Sequence, residues 1–105
     1  MTRVAAIDCG TNSLRLLVVD LDAQTQTAHE LLRRTTIVRL GQDVDRTGVF
    51  ADEALGRTYA VTEEYAAEIT RLRVELVRFV ATSAARDVAN RDAFLAGIRD
   101  RAGVT

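Results

Sequence analysis

Apolar and polar positions divide the chain into alternating segments. Arg3 to Asp8 is a nearly continuous apolar run that finishes on an acid. It is short enough to be a central strand buried on both faces. Leu14 to Leu21 is almost entirely apolar, with Arg15 near its start, and reads as a second strand. Asp22 to Thr27 is a polar turn. Ala28 to Arg39 has a mixed, edge-like pattern and reads as a third strand. Strands joined by turns this short are most simply antiparallel.

The period then changes. Leu40 to Val49 carries Gly41 and Gly48 and reads as a loop. From Asp52 to Leu72, the residues Leu55, Tyr59, Thr62, Ala66, Ile69 and Leu72 recur at helical spacing, and Asp52 and Glu53 suit the positive end of a helix. Val74 to Thr82 returns to a strand pattern, read as internal, and Ser83 to Ala89 is a small-residue connection. Asn90 is placed to cap a second helix with Ala93, Phe94, Ile98 and Ala102 on its apolar stripe, and Gly103 stops it. The order β-β-β-α-β-α predicts an α/β fold. A right-handed crossover sets the fourth strand parallel to the first, giving a mixed sheet in the order 3-2-1-4.

Composition narrows the picture. The 105 residues suit one domain, and 48% hydrophobic content allows a real core. Aromatics are only 5%, which argues against a stacking platform for single strands. The net charge is −1 and the arginines interleave with acids, so no footprint for DNA is expected. The N-terminus has no apolar core of signal-peptide length, nothing approaches a membrane span of about 20 residues, and a cytoplasmic location is the default. Cys9 is the only cysteine. It has neither a disulfide partner nor zinc-ligand spacing and reads as a small buried hydrophobe. His29 reads as a surface residue, and Tyr59 and Tyr65 as packing residues.

Chemistry concentrates where the first strand ends. Asp8 is followed by Cys9-Gly10-Thr11-Asn12-Ser13. A turn through Gly10, Thr11, Asn12 and Ser13 can aim several N–H groups and hydroxyls into one concavity, a nest for phosphate oxygens. Asp8 beside it suits Mg²⁺, which takes one or two carboxylates plus phosphate and water oxygens. The same turn between two apolar runs is also the pattern of a plain β-hairpin. A second segment, "VATSAARDVAN" at 80 to 90, has a similar layout, with Thr82, Ser83 and Arg86 after a strand. Parallel first and fourth strands would bring both turns to one sheet edge, where α/β ligands bind. Arg86 could then grip a phosphate with its planar fork. Taken alone, Arg86 reads as a surface arginine.

Together "AAIDCGTNSLRLLVVD" and "ATSAARDVANRDAFLAGI" resemble the opening motifs of the exopolyphosphatase / guanosine pentaphosphate phosphohydrolase family. That family sits in the actin-like, sugar-kinase and Hsp70 superfamily. The resemblance covers essentially the whole chain, including the "RLG…TG" loop at 39 to 48. It implies a ribonuclease H-like (actin-like ATPase) fold. It also implies phosphate binding by Gly10, Thr11, Asn12, Ser13 and Arg86, and Mg²⁺ near Asp8. Arg15 either faces the site or flanks the second strand. Two departures are visible: Gln42-Asp43 follows "LG" where small residues are common, and Ala51 stands where a serine cap is common. The latter weakens that helix start by about 1 kcal/mol.

The resemblance also implies a longer, two-domain enzyme. Residues 1–105 would be the N-terminal part of its first domain, an incomplete domain I, with the second domain outside this chain. No catalytic residue is expected here, because the family's glutamate would fall beyond Thr105. The expected activity is release of terminal phosphate from inorganic polyphosphate or guanosine pentaphosphate, with these residues inactive alone. A nucleotide- or alarmone-binding module without turnover is the competing reading, and a pure interaction domain is a third. An open fourth-strand edge rich in Leu76, Val77, Phe79 and Val80 leads to an expected homodimer, with exchange of the C-terminal helix as the other route.

Overall fold

The computed structural model describes residues 1–42, 44–81 and 88–103. Its elements are strands β1 (Thr2–Cys9), β2 (Ser13–Asp22) and β3 (Thr27–Ile37), a short helix α1 (Val44–Thr47), the long helix α2 (Asp52–Arg71), strand β4 (Leu76–Ala81) and helix α3 (Arg91–Ala102). The sheet order is β3-β2-β1-β4. β1 pairs antiparallel with β2 and parallel with β4, as the crossover rule requires.

Period-2 alternation explains which face the helices cover. Ala5, Ile7 and Cys9 of β1, Leu14, Leu16 and Val18 of β2, and Val77 of β4 form the buried face. They pack against Tyr65 and Ile69 of α2 and Phe94 and Ile98 of α3. Burying each such Leu, Ile or Phe side chain contributes about 1.5–3 kcal/mol. The opposite face, with Val4, Ala6 and Asp8, is half-buried, so β1 is not covered equally on both sides. β4 lies at one edge of the described sheet rather than inside it, and Leu76 and Val80 are exposed.

Several sequence expectations shift by a residue or a role. α2 buries Ala54, Thr58, Thr62, Tyr65 and Ile69, a stripe that differs from the predicted one at every position except Thr62 and Ile69. Its threonines tolerate burial because Thr58 Oγ1 donates to the Ala54 C=O and Thr62 Oγ1 to the Thr58 C=O, both at 2.8 Å. Ala51 occupies the N-cap of α2 without a side-chain bond, as its methyl group dictates. Asn90 sits at the N-cap of α3 but its side chain makes no cap bond. It is spent on the loop before α2: its Oδ1 accepts from the Phe50 N–H at 2.9 Å, and its Nδ2 donates to the Phe50 C=O at 3.3 Å. Gly103 ends α3 at φ +66°, the left-handed C-cap expected of it. The predicted loop at 40–49 contains α1, four residues too short to leave a period in the sequence.

The helices meet through aromatic rings. The Tyr59 ring stacks on Phe94 with centroids 6.1 Å apart, and the Arg101 guanidinium lies 4.0 Å from its centroid. Gly97 makes room for it: a Cβ there would meet Tyr59 Oη at 2.8 Å.

Candidate phosphate-binding site

The site begins with the turn between β1 and β2. The Gly10 N–H donates to the Ser13 C=O at 2.9 Å and closes it. The carbonyls of Thr11 and Asn12 face the loop after β3. Asn12 C=O accepts from the N–H groups of Val38 at 2.8 Å and Arg39 at 2.9 Å, and Thr11 C=O accepts from Gly41 at 2.8 Å. β3 therefore ends at Ile37, short of the predicted Arg39, because Val38 and Arg39 turn their N–H groups to Asn12. The side chains of Thr11 and Asn12 are exposed and that of Ser13 is half-buried.

Asp8 stands one residue before the end of β1, on the face away from the helices. Its Oδ1 is buried and has no hydrogen-bond partner among the described residues. An orphaned buried acceptor costs about 1–3 kcal/mol, more when charged, so it calls for an explanation. Mg²⁺ fits it chemically: the donor is a hard carboxylate oxygen beside a phosphate-type turn, and Mg²⁺ needs few protein ligands when phosphate and water supply the rest. Among the described residues no group of three His, Cys, Asp or Glu side chains is clustered as a self-sufficient metal site.

Arg15 is paired with Asp8 across β1 and β2, which puts both on the same face. Asp8, Arg15, Arg33 and Thr35 line one concavity there. Thr82, Ser83 and Arg86 lie outside the described residues. The parallel register does pair Cys9 with Ala81, so β1 and β4 end side by side. Cys9 is buried with its thiol pushed up to about 12, first by burial and then by the Asp8 charge. It is a core residue. His29 is exposed on β3. Sequence reasoning placed the 39–48 loop in the resemblance but missed the bonds that its N–H groups make to the turn.

The 3-2-1-4 mixed sheet with its helices on one face defines an actin-like α/β fold. The chain belongs to the Ppx/GppA phosphatase family, whose model matches residues 17–105. It is 55% identical over 105 residues to exopolyphosphatase 2 of Mycobacterium tuberculosis, covering 98% of this chain and 33% of that protein. It is 34% identical over 92 residues to a guanosine-5'-triphosphate,3'-diphosphate pyrophosphatase of Vibrio vulnificus, covering 87% of this chain and 18% of that one. In structure it is similar to the Ppx/GppA phosphatase of Aquifex aeolicus, with a TM-score of 0.89 at 32% identity, over 99% of this chain and 34% of that one. The chain thus spans about a third, or less, of the length of these relatives.

Proposed function

We propose that these residues are the phosphate-binding part of a phosphoanhydride hydrolase that releases the terminal phosphate of inorganic polyphosphate. The observation that carries the reading is the buried Asp8 Oδ1, without a hydrogen-bond partner among the described residues, beside a turn whose carbonyls are tied back by a loop. Polyphosphate is favoured over guanosine pentaphosphate by the higher identity to an exopolyphosphatase.

In this reading the N–H groups of Asn12 and Ser13 and the hydroxyls of Thr11 and Ser13 take terminal phosphate oxygens. Arg15 lines the concavity beside Asp8, and Arg86 adds a planar, charge-assisted grip. Asp8 would hold Mg²⁺, which when bound offsets negative charge on the phosphate oxygens. The general base that activates water comes from outside residues 1–105. General-base catalysis alone contributes about 10²–10⁴-fold. The 105-residue chain by itself is therefore expected to bind but to release no measurable phosphate.

A chimera tests this. These 105 residues replace the matching third of M. tuberculosis exopolyphosphatase 2, and phosphate release from long-chain polyphosphate is measured with Mg²⁺. The chimera should be active, and Asp8→Asn in it should lose most activity with its fold intact. Full activity of Asp8→Asn would sink the role of Asp8. Binding of guanosine pentaphosphate without turnover of either substrate would favour the alarmone-binding module.

The chain alone is also proposed to pair with itself through β4, whose edge carries Leu76 at 41% and Val80 at 53% exposure. Sedimentation at tens of micromolar should show a dimer; a clean monomer would refute the pairing.

A further inference from the structure

Arg57 has no place in the site described so far. It lies in the second turn of α2, half-buried. An ordinary helix-surface arginine pairs with an acid one turn away, as Arg71 does with Glu68 on the same helix. Arg57 instead reaches backward in sequence to the loop after β3. Its Nε donates to the Val38 C=O at 2.8 Å. Its Nη2 donates to the Arg39 C=O at 3.3 Å and to Gln42 Oε1 at 2.6 Å.

Those acceptors belong to the same loop whose N–H groups hold the turn. The chain of bonds is continuous: α2 to the 38–42 carbonyls, and the 38–41 N–H groups to the carbonyls of Thr11 and Asn12. Peptide planarity carries the effect one step further. Among the described residues there are no cis peptide bonds, and in a trans peptide the N–H points opposite to the C=O of the preceding residue. Fixing the Thr11 C=O toward Gly41 therefore turns the Asn12 N–H away from the loop. Fixing the Asn12 C=O toward Val38 and Arg39 does the same for the Ser13 N–H.

The loop does not hold this shape by local preference. Arg39 has φ +52°, a left-handed conformation that costs an L-residue about 1–2 kcal/mol. Gly41 sits so tightly on the turn that a Cβ would meet Thr11 Cγ2 at 2.8 Å. Something must compensate, and the guanidinium is the group in place to do so. Its planar fork serves three acceptors at once, which a lysine ammonium on a flexible stem reproduces poorly. α2 is a sound anchor, because Tyr65 Oη donates to the Leu14 C=O at 2.8 Å, next to the turn.

We infer that Arg57 is a positioning residue for the phosphate-binding turn, setting the direction of the Asn12 and Ser13 N–H groups through loop 38–42. This gives Gln42 a reason to stand where small residues are common: it supplies the third acceptor. The inference rests on the phosphate reading of the turn, so its test has one arm without ligand.

The full 105-residue chain is compared with Arg57→Gln, Arg57→Lys and a control, Arg71→Gln, by amide hydrogen exchange and ¹⁵N–¹H spectra. In Arg57→Gln, exchange at Val38, Arg39 and Gly41 should quicken about tenfold, and the Asn12 and Ser13 amide peaks should move. Arg57→Lys should fall between Arg57→Gln and wild type, and Arg71→Gln should leave these amides as in wild type. Titration with tripolyphosphate and Mg²⁺ should show about tenfold weaker binding for Arg57→Gln, partly restored by millimolar methylguanidinium. Unchanged amides in Arg57→Gln, or equal changes in Arg71→Gln, overturn the inference whatever the binding result. If the amides change but wild type does not bind tripolyphosphate, the strap stands and the phosphate reading falls. Should Arg57→Gln not fold, Arg57→Lys alone decides by the same amides.

Discussion

The Tyr65 hydroxyl on α2 donates to the C=O of Leu14, the second residue of β2, at 2.8 Å, and the Thr36 hydroxyl is hydrogen-bonded to Tyr65 Oη at 2.8 Å. One phenol thus joins α2, β2 and β3 just beyond the turn. Tyr65→Phe keeps the ring and removes the bonds. It should cost about 1–3 kcal/mol, because it takes partners from buried polar groups. Urea unfolding measures it, and a variant as stable as wild type would show that the hydroxyl contributes nothing.

Arg3 and Asp20 face each other across β1 and β2. Arg3 Nε and Nη2 donate to the two Asp20 oxygens at 2.8 and 3.0 Å, and Nη1 donates to the Leu72 C=O at 2.7 Å. The bond from Arg3 holds the Asp20 carboxyl below its ordinary value. A carboxyl depressed by folding adds stability above its unfolded value, about 3.9, and loses it as pH falls through the lower folded value. Asp20→Asn should therefore be less stable than wild type at neutral pH, with the gap closing below about pH 4. Thermal melts of both proteins from pH 2 to 7 check this, and a gap independent of pH would contradict it.

Cys9 is buried on the helix-covered face, and its thiol is pushed up to about 12. The thiolate is the reactive form. A disulfide reagent at pH 8 should leave native protein unmodified and label one thiol per chain in denaturant. Rapid native labelling would mean that β1 opens far more readily than its packing implies.

Gly97 lies against the Tyr59 ring. Gly97→Ala gains about 1 kcal/mol of helix propensity, but overpacking typically costs 1–3. The variant should be destabilised in the wild-type background and stabilised in a Tyr59→Ala background, where the ring is gone. A stabilised single variant in urea titrations would show that the ring moves aside freely.

How far the sequence could be read follows from the range of each interaction. The four strands and their order were legible because apolar runs and short connections are local signals. The acid at Asp8, near the end of β1, and the hydroxyl- and amide-rich turn after it were legible for the same reason. Thr58 was passed over because its polarity hides a hydroxyl already satisfied within the helix. Asn90 sits where a cap is expected, yet its amide bonds Phe50, forty residues away. The approach of Gly41 to Thr11 and the reach of Arg57 to Val38 are tertiary pairings, and they leave no period in the chain.

If Asp8 Oδ1, without a partner among the described residues, holds Mg²⁺ as proposed, stability and ion concentration become thermodynamically linked quantities. A ligand that binds only the native state adds RT ln(1 + [L]/Kd) to its stability. Raising Mg²⁺ should raise the melting temperature of the 105-residue chain, while Asp8→Ala, relieved of the buried acceptor, should melt higher without the ion and ignore it. The native ensemble then acts as its own ion gauge, readable by calorimetry with neither substrate nor turnover. Identical Mg²⁺ responses in the two proteins would remove Asp8 from ion binding altogether.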